Sequence, residues 1–272
     1  MIHPHQKSEF LGTAFRAAML AGELILENLG KLSTKDINTK DTSDFVTRVD
    51  RESEDLIIST IKRKHPEHHF LAEESVKDNM TTDYRWIIDP LDGTTNFIHS
   101  YPVFSISIAL EYKGEIILGV VYDPLREELF TAEKGTGTFL NGQPVKTSSV
   151  KDIDNGLIAT GFPFRKRNLI DPYLDLFKNI FNQVSDIRRA GSAALDFAHL
   201  SCGRCDGFFE LGLSPWDMAA GSILITEAGG IVSDFGGGKN YLRTGNIVAA
   251  TPFLHDKILN EVKGVFSGTI DS

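Results

Sequence analysis

The sequence predicts a mixed helix-and-sheet protein whose two halves are built differently, α+β over residues 1–143 and α/β over residues 144–272. Three observations predict it. Two amphipathic helical patterns dominate the first 65 residues. Three β-rich runs then succeed one another with only turn signals between them, the pattern of an antiparallel meander. From about Pro144 onward, strand-like and helix-like segments alternate.

In order, Ser8 to about Leu29 has Phe10, Ala14, Ala17, Ala21, Leu24 and Ile25 at helical spacing, with Ser8 as cap and Gly30 as stop. A polar link, Lys31 to Asp44, leads to Phe45-Val46-Thr47-Arg48-Val49-Asp50 and a second helix bearing Leu56, Ile57, Thr60 and Ile61, which ends at His65-Pro66. Asp50 reads as an N-cap or first-turn acid. Val103–Tyr112, Glu115–Tyr122 and Glu128–Thr131 form the meander, punctuated by Lys113-Gly114, Asp123-Pro124 and Asn141-Gly142. Gly135-Thr136-Gly137-Thr138 has no following helix and reads as a hairpin. Beyond it, strands are expected at Gly156–Gly161, Phe208–Leu211, Ile231–Ser233 and Ile247–Ala250. Helices are expected after Asp171-Pro172, Gly191-Ser192, Ser214-Pro215 and Thr251-Pro252. Ser214 with Asp217 has the spacing of a capping box, Gly236-Gly237-Gly238 reads as a flexible turn, and Phe162 to Arg167 reads as a basic surface loop.

Composition narrows the function classes. At 272 residues the chain can bury a sizeable core, and 41% hydrophobic with 24% charged residues is ordinary for a globular protein. Lys plus Arg is 28 against 37 for Asp plus Glu, a formal net charge of −9, which argues against a general nucleic-acid-binding surface. No apolar run approaches the length of a bilayer span, so no membrane association is expected. Met1 to Ser8, with His3 and His5, is a polar tail without a signal-peptide core, and a cytoplasmic location is the expectation. Cys202-Gly203-Arg204-Cys205 comes after a helical segment, with no second such pair to complete a zinc site; it is read as incidental.

The chemistry centres on Trp86-Ile87-Ile88, a short buried strand that breaks into Asp89-Pro90-Leu91-Asp92-Gly93-Thr94-Thr95-Asn96. Pro90 biases Asp89 away from the helical region, Gly93 permits a close approach, and Thr94 can cap the next element. Two acids and a helix start at one point could hold a divalent metal beside a phosphate; a plain surface turn is the alternative. Acids that follow a strand or open a helix are Glu73, Asp89, Asp92, Glu210 and Asp217. No Ser-His-Asp spacing or G-x-S-x-G elbow accompanies them. Carboxylates without imidazole or thiolate favour Mg²⁺ or Mn²⁺, and the residues alone lead as far as metal-assisted phosphate chemistry.

Asp89 to Phe97 resembles the first signature of the inositol monophosphatase family. Trp216-Asp217-Met218-Ala219-Ala220-Gly221, continuing to Glu227-Ala228-Gly229-Gly230, resembles its second, and Glu73-Glu74-Ser75 stands at the right distance ahead. The resemblance covers about residues 8–266, with Gly161–Phe164 and Tyr241–Ala250 similar to the bacterial inositol-1-monophosphatase branch. It implies a layered αβαβα sandwich of the sugar-phosphatase type, a homodimer, and two or three Mg²⁺ ions with Mn²⁺ as a substitute. It implies that Glu73, Asp89, the carbonyl of Leu91, Asp92 and Asp217 bind metal, with Asp89 bridging two ions. The amides of Gly93 and Thr94 would hold the phosphate. Thr94 and Asp50 would aim and help deprotonate the attacking water, and Glu73 would complete the catalytic set. Gly191, Ser192, Ala193 and Glu210 would contact the hydroxyls of a small phosphorylated polyol, with Leu91, Asp92 and Asp217 alongside. The implied substrate is myo-inositol monophosphate. Relatives on this scaffold act on fructose bisphosphate, histidinol phosphate, NADP or adenosine bisphosphate, and the lack of a long insertion after Glu74 argues mildly against the nucleotide bisphosphate branch. A reading of another class is a regulatory protein that keeps the fold and meets RNA or the transcription machinery through Arg165-Lys166-Arg167.

Overall fold

The computed structural model describes residues 8–41, 44–75 and 83–267; His3 and His5 lie outside them. Ser8 caps α1 (Glu9–Asn28), accepting from the Leu11 amide, and the buried alanines of this helix face the core. β1 (Ile37–Asp41) and β2 (Asp44–Thr47) pair antiparallel, so the stretch expected to be a polar link carries a strand. Its pairing of Ile37 with Thr47 is made outside its own sequence window, and the local composition has no alternation to announce it. α2 (Arg48–Lys62) comes directly after β2.

β3 (His69–Ala72), β4 (Tyr84–Asp92), α3 (Thr94–Ile98), β5 (Ser105–Tyr112), β6 (Glu115–Asp123), β7 (Glu128–Glu133), β8 (Gly137–Leu140) and β9 (Gln143–Val145) come next. The seven strands β3 to β9 form one sheet in sequence order, antiparallel except for the β3–β4 pair. The meander is as the sequence predicts.

The remaining chain runs β10 (Leu157–Thr160), α4 (Ile170–Phe181), β11 (Asp186–Arg188), α5 (Ala193–Ser201), β12 (Gly207–Leu211), α6 (Pro215–Glu227), β13 (Ile231–Ser233), α7 (Tyr241–Thr244), β14 (Asn246–Ala250) and α8 (His255–Phe266). The strand order β11-β10-β12-β14-β13 is parallel over its first three strands and antiparallel beyond. Three local expectations change. The basic loop is a 3₁₀ run, Phe164–Leu169. α8 starts later than Thr251-Pro252, because the Thr251 carbonyl takes the Leu254 and His255 amides in a turn first. The triple-glycine turn is pinned, since Asp234 accepts from the Gly238 and Asn240 amides at 2.7 and 2.9 Å.

The side-chain period of two in β4 sends Trp86 and Ile88 to a core shared with α1 and α2, and Ile87 to one shared with α5 and α6. The second sheet packs Ala159, Phe208 and Ile247 on α5 and α6, and Ile158, Phe209 and Val248 on α4 and α8. The result is five layers, αβαβα, with α5 and α6 between the sheets. Two glycines set that middle layer. A Cβ on Gly119 of β6 would come within 2.6 Å of the Ala220 carbonyl oxygen, and one on Gly221 of α6 would strike the Phe197 ring of α5.

Gly221→Ala is therefore expected to overpack the α5–α6 contact at a cost of about 1–3 kcal/mol. Thermal unfolding should report a Tm lower by about 2–4 °C per kcal/mol; an unchanged Tm would contradict this packing.

Candidate active site

A cleft of about 640 Å³ opens at the end of β4. On a regular strand Asp89 and Asp92, three residues apart, would point to opposite faces. The pairing with β5 resolves this: Asp89 faces Ser107 and Asp92 faces Ser105, so β4 spends one extra residue between them. This β-bulge contains Pro90, whose missing amide proton is tolerated there, and Leu91, which is buried. Ser53 of α2 donates to the Pro90 carbonyl at 2.9 Å, and the Leu91 amide donates to Asp89 Oδ1 at 3.0 Å. Both acids consequently line the same cleft and are buried.

Three further elements aim helix starts at this point. Asp50, in the first turn of α2, accepts on Oδ2 from the Thr47 amide at 2.9 Å and the Thr47 hydroxyl at 2.5 Å. Its Oδ1 accepts from the Thr94 hydroxyl at 2.8 Å, which also lies 3.1 Å from the Leu91 carbonyl. Asp92 Oδ2 accepts from the Ser192 hydroxyl at 2.5 Å and the Ala194 amide at 2.8 Å, at the start of α5. Asp217 Oδ2 accepts from the Ser214 amide at 2.7 Å, closing the capping box of α6. The cap and first-turn readings of Asp50 and Asp217 hold together with a place at the cleft.

Of the residues expected from the sequence, Glu73, Asp89, Leu91, Asp92, Gly93, Thr94, Gly191, Glu210 and Asp217 line the main cleft. Ser192 and Ala193 line a smaller adjoining pocket. Asp50 sits fully buried behind Thr94 and reaches the cleft only through that hydroxyl. Gly93 has φ 96°, and a Cβ there would come within 3.0 Å of the Val103 carbonyl oxygen and 3.3 Å of that of Gly191. Both its conformation and its close approach require glycine. Asn96 Nδ2 donates to the carbonyls of Val103 and Ala190 at 2.8 and 3.0 Å, tying α3 to the segment before α5.

Sequence reasoning missed several partners. Arg165, read as a surface cation, donates to Asp217 Oδ2 at 3.1 Å and stands 3.9 Å from Glu73. Glu54, one helical turn after Asp50, accepts from the Glu74 amide at 2.8 Å and from the Ser75 hydroxyl, which shapes the Glu73 turn. Its i,i+4 relation to Asp50 was the available signal. Arg189 and Asp196 also line the smaller pocket. Cys202 and Cys205 are free thiols whose pKa values burial pushes up.

The electrostatics are unfavourable for carboxylates alone. Burial first, then the charges of Glu73, Asp92 and Asp217, push Asp89 well above the usual carboxylate range. Burial and Asp217 push Asp92 up, against the opposing hydrogen bonds from Ser192 and Ala194. Burial also raises Asp50, against its bonds from Thr47 and Thr94. Among the described residues no three acid, His or Cys side chains already surround one point as a finished metal site. The donor set nonetheless fits a hard cation: oxygen ligands only, buried apart from the half-buried Glu73, mutually repelling around Asp89, and with Asp89 taking a hydrogen bond, among the described residues, only from its own turn. Glu73, Asp89, the Leu91 carbonyl, Asp92 and Asp217 are the groups that would hold it.

Comparisons with known proteins show which family and which solved structures the chain is similar to. The profile of the Inositol monophosphatase family matches residues 6–265. The chain is 47% identical to Nus factor SuhB of Escherichia coli (strain K12), over 96% of this chain and 98% of that one. The crystal structure of extragenic suppressor protein suhB from Bartonella henselae is similar at a TM-score of 0.91 with 40% identity, covering 94% and 99% of the two chains. Inositol monophosphatase from Anabaena (Nostoc) sp. PCC 7120 is similar at a TM-score of 0.85 with 39% identity, covering 94% and 96%.

Burial and the neighbouring acids favour the protonated forms of Asp89 and Asp92, which compete with a cation, so cation binding is expected to strengthen as pH rises. Mg²⁺ should raise the Tm more at pH 8 than at pH 6, by the mass-action rule for a ligand of the folded state. A differential scanning fluorimetry titration checks this, and equal increments at both pH values would contradict it.

Proposed function

Because the chain belongs to the inositol monophosphatase family, we propose that it hydrolyses a small phosphorylated polyol, myo-inositol monophosphate or a close analogue, with Mg²⁺ as cofactor. The observation that carries the reading is the pair Asp89 and Asp92, turned to one cleft by the β4 bulge, with the Thr94–Asp50 hydrogen bond directly behind. Mg²⁺ held by Glu73, Asp89, the Leu91 carbonyl, Asp92 and Asp217 supplies charge neutralisation at the phosphate and lowers the pKa of water.

The protein groups do the rest. The Gly93 and Thr94 amides, where the backbone turns into α3, receive the phosphate oxygens. The Thr94 hydroxyl directs its proton at Asp50, so its oxygen can accept the proton of the attacking water. A raised Asp50 pKa, caused by burial, makes that carboxylate a better terminus for the proton. Ser192 and the α5 amides fix Asp92 in one orientation, and Arg165 and the Ser214 amide do the same for Asp217. Gly191, Ser192, Ala193 and Glu210 form the wall that meets the hydroxyls of the alcohol. Positioning and charge stabilisation are what phosphoryl transfer requires, and no covalent nucleophile is needed.

Fructose bisphosphate, histidinol phosphate and nucleotide phosphates are the competing substrates, since the acids would serve each of them equally. A second reading, association with the transcription machinery, draws on the name Nus factor carried by the similar SuhB protein of Escherichia coli. The basic turn gives it little support, because Arg165 is engaged with Asp217. Partners captured equally by wild type and by Asp92→Asn would support this reading.

Phosphate release from myo-inositol monophosphate is expected to require Mg²⁺ and to fall by about 10²–10³ in Asp92→Asn. Thr94→Ala should lower kcat by about 10²–10⁴ with little change in KM. Steady-state kinetics with a panel of phosphate esters at matched concentrations measure both effects and rank the substrates. Full activity in chelator, or in the Asp92 variant, would remove the proposal.

A further inference from the structure

Asp196 has no role in the proposed hydrolysis, yet it stands where a carboxyl is costly. It lies in the first turn of α5 between the buried apolar residues Leu195 and Phe197, and is itself only 4% exposed. No donor among the described residues bonds its carboxyl group; its neighbours act on it through space only. A buried acceptor without a donor is unfavourable unless something entering from outside completes it. Asp196 lines the smaller pocket, of about 140 Å³, which opens beside Asp92 and Asp217 and continues past Glu210 and Arg189. Gly161 also lines it, and a Cβ there would strike the Glu210 carboxyl. The volume is on the order of four or five waters, enough for a carbon–hydroxyl fragment. Glu210, like Asp196, presents a carboxyl without a hydrogen-bond donor among the described residues.

We propose that Asp196 is a specificity-determining residue which, paired with Glu210 across this pocket, accepts hydrogen bonds from hydroxyl groups on the alcohol portion of the phosphate ester. The assignment rests on the phosphatase reading and narrows its substrate class. The ester must carry at least one further hydroxyl placed to enter the pocket beside the reacting phosphate. An ester without such hydroxyls leaves both acceptors to water and gains nothing from the pocket.

The test compares two esters, myo-inositol 1-phosphate and the hydroxyl-free p-nitrophenyl phosphate, with Mg²⁺ present. Asp196→Asn keeps the shape of the side chain but weakens and partly reverses its acceptor character. It is expected to raise KM for the inositol ester about 10-fold, leaving kcat and both constants for p-nitrophenyl phosphate within about twofold. Gly161→Ala crowds the Glu210 carboxyl in the same pocket without altering Asp196, and should give the same split. It keeps the pocket testable even where the Asn variant fails to fold. Wild type active on both esters, with the variants changing both equally or neither, overturns the pocket assignment alone. Wild type inactive on both overturns the phosphatase reading beneath it.

Discussion

The site depends on one added residue in β4. Strand geometry places side chains at odd spacing on opposite faces, so Asp89 and Asp92 could not serve one cleft on a regular strand. The bulge against β5 restores them to the same face and sinks Leu91 into the α1–α2 core as its anchor. Ser53 then fixes the Pro90 carbonyl from α2, the helix that also carries Asp50. One irregularity therefore sets the two acids, the exit angle into α3 and the distance from Thr94 to its partner. The next residue, Gly93, is confined where a Cβ would stand by the carbonyls of Val103 and Gly191, which extends the same constraint to the edge of the second half.

That arrangement concentrates negative charge that the fold alone does not neutralise. Asp89 has Glu73, Asp92 and Asp217 as repelling neighbours, and burial adds to the penalty. Arg165 is a cation the chain itself brings, and it touches the rim rather than the floor: it bonds Asp217 and approaches Glu73. Its partners come from opposite halves of the chain, so this guanidinium links the two. The middle layer behind this charge is closely packed, as the contacts at Gly119 and Gly221 require.

Local signals made much of this legible. The meander, the Ser214–Asp217 capping box and the Asp-Pro break all act within a few residues, where periodicity and turn chemistry are decisive. The acids themselves could be picked out because each follows a strand or opens a helix. What the sequence hid was register and approach. β1 is defined by a partner strand, the direction of Arg165 by the kinked 3₁₀ run that carries it, and the support from Glu54 by a contact with the Glu73 turn. Asp196 was invisible for the opposite reason: its spacing matches a buried helical face, so nothing in the pattern separates it from core until the pocket is seen.

The acids at helix starts share a single logic, and it explains why capping and chemistry need not compete. Asp50 commits Oδ2 to Thr47, Asp92 commits Oδ2 to Ser192 and Ala194, and Asp217 commits Oδ2 to Ser214 and Arg165. Each carboxylate is thus held by donors at the N-terminus of a helix, where orphan amides and the helix dipole favour negative charge. Its second oxygen is left for the cleft, and in Asp50 that oxygen already takes the Thr94 hydroxyl. A helix start holds a carboxylate more rigidly than a free side chain could be held, because the same bonds that orient the acid also complete the helix. Moving any one of these acids by a rotamer would uncap α2, α5 or α6 as well. The orientation that a phosphate-handling cleft needs is therefore enforced largely by the starts of three helices, with Arg165 adding a contact from within the cleft at Asp217.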